Sequence, residues 1–148
     1  MLTQPLLDKL SQLRLSAFRE ALQEQWHSPH YAELSFEERL GLLLDVEVTR
    51  RANNSLKRRI RVANFPLQAT VEELDLARRR GLKRAEVLQL AQAEWVGRHL
   101  NLLVLGPTGA GKTFLAAALG RAACQADYKV RYERTSRLLH ALELAQAD

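Results

Sequence analysis

Residues 102–120 read LLVLGPTGAGKTFLAAALG, and this stretch decides how the chain is understood. Upstream, residues 100–105 (LNLLVL) form a compact apolar run without helical periodicity, which suits a buried strand. A glycine-rich turn follows, then Lys112 and Thr113, then an alanine-rich segment that predicts a helix over 112–126. The order is apolar run, glycine turn, helix. It predicts the beginning of an α/β unit.

Gly106, Pro107, Thr108, Gly109, Ala110, Gly111, Lys112 and Thr113 match the pattern G-x-x-x-x-G-K-S/T in full. The chemistry of a triphosphate calls for these residue types. Backbone N–H groups must turn inward to meet dense negative charge, and side chains at Gly109 or Gly111 would obstruct that turn. The following helix offers unpaired N–H groups and the positive end of its dipole. Lys112 supplies a point charge, and the Thr113 hydroxyl suits a magnesium ion. The expected ligand is therefore ATP with Mg²⁺. Phosphoryl transfer in proteins with such a loop also uses an acidic residue after a later strand. None is identified after Thr113: Asp127 precedes the next strand candidate (128–133, YKVRYE), Glu133 ends it, Glu143 lies in a predicted helix, and Asp148 is the final residue. Nucleotide binding is expected, and unaided turnover is not. The same shortage argues against a small-molecule kinase.

Outward from the loop, the chain reads as helical. Leu6, Leu10, Leu13, Ala17 and Ala21 predict one helix over 5–27, ended by Ser28-Pro29. Ser35 and Glu38 form a capping-box pattern ahead of a long helix carrying Phe36, Leu40, Leu44, Val48, Ala52, Leu56 and Ile60. Thr70 and Glu73 repeat that pattern before a short helix ended by Gly81, and another helix is predicted over 83–96. Thr135 or Ser136 is expected to cap a last helix. The working division is a helical DNA- or partner-binding region (1–68), a helical linker (69–99) and a partial P-loop domain (100–148). The fold class is a mainly α amino-terminal region followed by the start of an α/β P-loop NTPase domain with an incomplete sheet.

Charge is distributed unevenly. Residues 1–49 carry a net charge of −4 and residues 50–84 one of +8, within an overall +5. Residues 50–61 hold six cations and no acid: Arg50, Arg51, Lys57, Arg58, Arg59 and Arg61. Most of these fall on one side of the long helix, away from Ala52, Leu56 and Ile60. They are the candidate contacts to a DNA backbone, without sequence preference. Arg78, Arg79, Arg80, Lys83 and Arg84 form a second cluster that could face DNA, the nucleotide or a neighbouring subunit. A solvated helix face is the alternative for both.

The remaining composition narrows the class. With 47% apolar and 26% charged residues in 148, a packed soluble core is expected. No uncharged apolar stretch is long enough to span a membrane, and the first residues lack the pattern of a secretory signal. A single cysteine, Cys124, excludes an internal disulfide, fits the cytoplasm and reads as a small buried side chain. His27, His30, His99 and His140 show no metal-ligand spacing. Trp26 and Trp95 read as packing residues.

Together, the segments YAELSFEERLGLLLDVEVTRRANNSLKRRIRVANFP and RGLKRAEVLQLAQAEWVGRHLNLLVLGPTGAGKTF resemble the IstB-type helper ATPases of insertion sequences, DnaC-like members of the AAA+ class. The resemblance covers nearly the whole chain. It implies a protein that binds ATP, assembles as a homo-oligomer on DNA and assists a transposase. In that family the chain continues beyond the position of Asp148 with the Mg²⁺-binding (Walker B) acid, the sensor residues and the arginine finger. By that resemblance the chain is carboxy-terminally truncated and is not expected to hydrolyse ATP alone. The alternative is a non-catalytic DNA- or partner-binding fragment of such an ATPase.

Overall fold

The computed structural model describes residues 3–75 and 81–147. Its elements are α1 (Thr3–Gln12), α2 (Ser16–His27), a 3-10 turn (Pro29–Tyr31), α3 (Phe36–Ala63), α4 (Arg84–Ala91), α5 (Glu94–Gly97), α6 (Lys112–Gln125) and α7 (Thr135–Ala147). The chain divides into two compact units, Met1–Ser55 and Leu56–Asp148, so α3 contributes to both.

In the first unit the single helix expected over 5–27 is two helices. The break is a Schellman closure of α1: Leu15 N–H donates to Leu10 O at 2.9 Å and Arg14 N–H to Ser11 O at 3.0 Å. Arg14 takes the left-handed position, with φ 57°, that glycine ordinarily fills. Neither α2's own cap residue nor its first turn caps its start. Glu47, reaching from α3, does so instead: its Oε2 accepts the N–H groups of Ala17 at 3.0 Å and Phe18 at 3.1 Å. Arg51 Nε donates to Glu47 Oε1 at 2.7 Å, and Arg51 Nη2 donates to Arg14 O at 3.2 Å. Ala17, Leu10 and Leu43 are buried around this junction. The long helix begins as the capping box requires. Ser35 N–H donates to Glu38 Oε2 at 2.8 Å, and Glu38 N–H donates to Ser35 Oγ at 3.2 Å.

The second unit is built around α6. One side of this helix, Leu115 and Leu119, packs on Val87 and Leu90 of α4 and on Leu102 and Val104. Its alanine side, Ala117 and Ala118, packs on Ala69, Phe65 and Leu74. Close approach explains the small residues. A Cβ at Gly120 would lie 2.6 Å from the Phe65 ring. The helix expected over 83–96 is divided at Ala93, whose φ of 57° stops α4 before α5 begins. Thr70 N–H does bond to Glu73, at 3.0 Å, but only turns follow through Asp75; the rest of that predicted helix, with Arg78, Arg79 and Arg80, lies outside the described residues.

The α/β expectation is corrected in one respect. Among the described residues there is no strand and hence no sheet. The 100–105 run is extended and alternates as a strand should, with Leu102 and Val104 packed and Leu103 and Leu105 exposed at 83% and 89%. No adjacent strand supplies the N–H and C=O groups that would make it part of a ladder. Residues 128–133 likewise bond elsewhere: Tyr132 N–H donates to Ala63 O, at the end of α3, at 2.8 Å.

Candidate functional site

The loop over 106–113 lies between the extended run and α6, as its sequence context predicts. Gly109 has φ +80° and Gly111, the cap residue just before α6, φ +88°. A β-carbon at Gly109 would meet nothing within 4 Å, so the requirement there is backbone conformation rather than space. Gly106 is less demanding: a Cβ would sit 3.7 Å from Ala110 Cβ, an ordinary contact. The start of α6 has no side-chain cap and no acid in its first turn. Its N–H groups are thus the unpaired donors that a helix start always carries, on the side of positive dipole.

Lys112 is half-buried and crosses the loop. Its Nζ donates to Gly106 O at 2.8 Å and to Pro107 O at 2.7 Å. This holds the ammonium over the turn instead of out in solvent. Thr113 is exposed one residue on, with its hydroxyl available to a cation. Beside the loop is a cavity of about 180 Å³ lined by Leu74, Asp75, Leu82, Val104, Gly106 and Lys112 among others. Leu74, Asp75 and Leu82 were not singled out from sequence. They come from the segment before the loop, on either side of the residues that are not described.

The opposite end of α6 is capped by a residue first read as a DNA contact. Arg59 Nε donates to Cys124 O at 2.9 Å, and Arg59 Nη2 pairs with Asp127 Oδ1 at 2.6 Å. A guanidinium there satisfies a terminal carbonyl and faces the negative end of the helix. Cys124 is fully buried, and burial pushes its thiol up from the ordinary range, as expected for an inert core residue.

The other five candidate cations divide. Arg50 pairs with Glu20, and that bond holds the Glu20 carboxyl below its ordinary range. Arg51 is committed to Glu47 and to the Arg14 carbonyl. Lys57, Arg58 and Arg61 are exposed and make no ion pair among the described residues. These three are the members of the run whose charge is not paired within the described residues. Of the second basic cluster, Lys83 and Arg84 are exposed at the start of α4, with Lys83 Nζ 3.8 Å from Glu86.

A largely helical chain with a lysine-bearing glycine loop at a helix start belongs among the P-loop proteins in pattern. Comparison with known proteins makes the assignment specific. The chain belongs to the IstB-like ATP binding protein family of IS21-type insertion sequences, whose model matches residues 8–148. It is 45% identical over its whole length to a protein of Pseudomonas fluorescens named for ATP binding in insertion sequence IS1162, and covers 64% of that protein. It is 40% identical to an insertion-sequence ATP-binding protein of Sinorhizobium fredii, of which it covers 60%. It is 34% identical to an IS21 protein of Pseudomonas aeruginosa, also named for ATP binding, of which it covers 53%. The chain thus spans between half and two thirds of the length of these three relatives. No helix among the described residues is long and apolar enough to cross a membrane.

Proposed function

We propose that this chain is an ATP-binding, DNA-associated helper of transposition that takes Mg-ATP through residues 106–113 and does not complete hydrolysis by itself. The observation that carries the reading is the loop's geometry: Gly109 and Gly111 at positive φ, and Lys112 Nζ held across the turn between two carbonyls. The phosphates are met by the first N–H groups of α6 and by Lys112, with Thr113 on the magnesium ion. The cavity lined by Leu74, Leu82 and Asp75 takes the remainder of the nucleotide. Residues 100–105 and 128–133 keep the strand-like patterning of a P-loop domain. A transposase as partner, a homo-oligomeric assembly and a cytoplasmic location belong to the same proposal. Thermal unfolding with and without Mg-ATP tests it. Binding to the folded chain raises the midpoint, by about 2.7 kcal/mol of stabilisation at a hundredfold excess over Kd.

DNA association rests on Lys57, Arg58 and Arg61. If each meets one phosphate, log K against log salt carries a slope of about −2.7 from this face, and the triple alanine variant is flatter by that amount. Slopes that coincide would remove α3 from the DNA contact. A second reading, a non-catalytic DNA- or partner-binding fragment, is favoured by the 83% and 89% exposure of Leu103 and Leu105 beside the loop. It expects the same salt dependence and no response to Mg-ATP.

A further inference from the structure

We infer that the groove between the end of α3 and the start of α7 is a second contact surface for the phosphate backbone of duplex DNA, continuous with the cationic face of α3. The inference rests on the DNA association proposed above and adds residues that no part of that reading uses.

The backbone builds the groove. Asn64 follows α3 in a left-handed conformation, φ 55°, and turns the chain away from the helix axis. The bond from Tyr132 N–H to Ala63 O, 2.8 Å long, then fixes the approach to α7 against the end of α3. Between them lies an open hollow of about 520 Å³, lined by Asn64, Arg131, Glu133, Ser136, Arg137 and His140 among others. A neighbouring hollow shares Asn64 and Arg137 and adds Arg134.

Its charge is unbalanced toward cations. Glu133, the carboxylate that lines both hollows, is held by Arg131 through bonds of 2.7 Å to Nε and Nη2. Another carboxylate, Glu143, lies 3.9 Å from His140. Arg134 and Arg137 are exposed and make no ion pair among the described residues. The first turn of α7 also contains no acid, so these guanidinium groups sit at the positive end of their own helix without local compensation. Asn64 and Ser136 add neutral donors of the kind that hydrogen-bond phosphate oxygens.

Spacing joins this groove to α3. Lys57 and Arg58 lie four and three residues before Arg61, and Arg61 lies three before Asn64, so the row steps along one side of the helix into the hollow. An elongated cationic row ending in an open groove fits a polymer of phosphates better than a single small anion, which would need its ligands converging on one point.

Fluorescence anisotropy of the full chain on a labelled duplex oligonucleotide, over a range of salt, tests the idea. Replacing both residues (R134A/R137A) is expected to weaken binding and flatten the log–log slope by about 1.8, the release expected for two phosphate contacts. R134K/R137K keeps the slope, because each lysine retains the charge. The Mg-ATP response and the unliganded unfolding midpoint stay as in the unchanged chain. If the alanine pair lowers that midpoint, R134Q/R137Q gives the same comparison with the polar side chains kept. Binding by R134A/R137A, or by R134Q/R137Q in that case, with unchanged slope and affinity overturns this surface alone and assigns the groove to another kind of partner. Absence of DNA binding by the unchanged chain overturns the DNA reading of α3 and this surface together.

Discussion

Lys112→Ala abolishes the Mg-ATP-dependent rise in the unfolding midpoint while leaving the midpoint of the unliganded chain nearly where it was. The two halves of this expectation have separate causes. In the free protein Lys112 Nζ makes two hydrogen bonds, to Gly106 O and Pro107 O, and both carbonyls belong to exposed residues. Water replaces the ammonium there, so the net cost is on the order of 1 kcal/mol. With nucleotide, the same ammonium faces a polyanion in a partly enclosed site. Removing one partner of a close charge pair costs about 2–5 kcal/mol of binding, which is roughly thirtyfold to several thousandfold in Kd. Lys112→Arg does not rescue the response, because a planar five-donor fork cannot reproduce a compact point charge reaching across a tight turn. Titration calorimetry of the three proteins decides the matter. Equal affinity in the unchanged chain and Lys112→Ala would remove residues 106–113 from the nucleotide site.

The parts of the molecule legible in its sequence are those governed by local rules. The turn over 106–113 needs positive φ at Gly109 and Gly111, and only glycine adopts it without strain, so the residue type reports the conformation. The Ser35/Glu38 capping box is equally local: both bonds span three residues and both are present. What the sequence concealed was settled by partners distant along the chain. The α1–α2 break uses Arg14 where glycine would announce a helix end, and the left-handed turn is held by Arg51 from across the unit. Ala93 conceals the α4–α5 break in the same way. The alternation of 100–105 correctly indicates an extended run packed on one face, but whether it joins a sheet depends on a neighbouring strand.

The cationic run shows the same limit from the side of function. Composition places six charges within twelve residues, but it cannot separate those that hold the fold from those facing solvent. Arg59 differs from Arg58 by 100° around the helix, and that rotation takes it from water to the carbonyl end of α6. On the three-residue contact proposed above, counting all six as phosphate contacts would overstate the salt dependence. Arg134 and Arg137 would be missed by the same count, since they lie far along the chain and become neighbours of α3 only through the bond between Tyr132 and Ala63.

Glu47→Ala has the largest expected effect on stability. Its residue is 5% exposed, and its carboxylate accepts two N–H groups of the uncapped start of α2 while pairing with Arg51. Alanine leaves one buried and one part-buried donor unsatisfied and releases Arg51 from one of its two anchors. Hydrogen bonds to a charged group contribute about 1.5–3 kcal/mol, so losing this acceptor removes a large fraction of what a domain of this size has, while the largely exposed Arg51 is resolvated by water. Glu47→Gln keeps an oxygen facing the N–H groups and loses the charge, so it is expected to fall between. The same geometry fixes a pH dependence. The hydrogen bond from Arg51, aided by those from Phe18 and Ala17, holds the Glu47 carboxyl below its ordinary range against the opposing effect of burial. A carboxylate depressed in the folded state stabilises fully above its unfolded value, about 4.3, and that contribution disappears as pH falls through the lower folded value. Denaturant unfolding of the full chain, followed by circular dichroism, should therefore show the unchanged protein losing stability below the carboxylate range, with Glu47→Gln losing less over the same interval. Parallel acid profiles for the two proteins would show that Glu47 is not the titrating group that fastens α2 to α3.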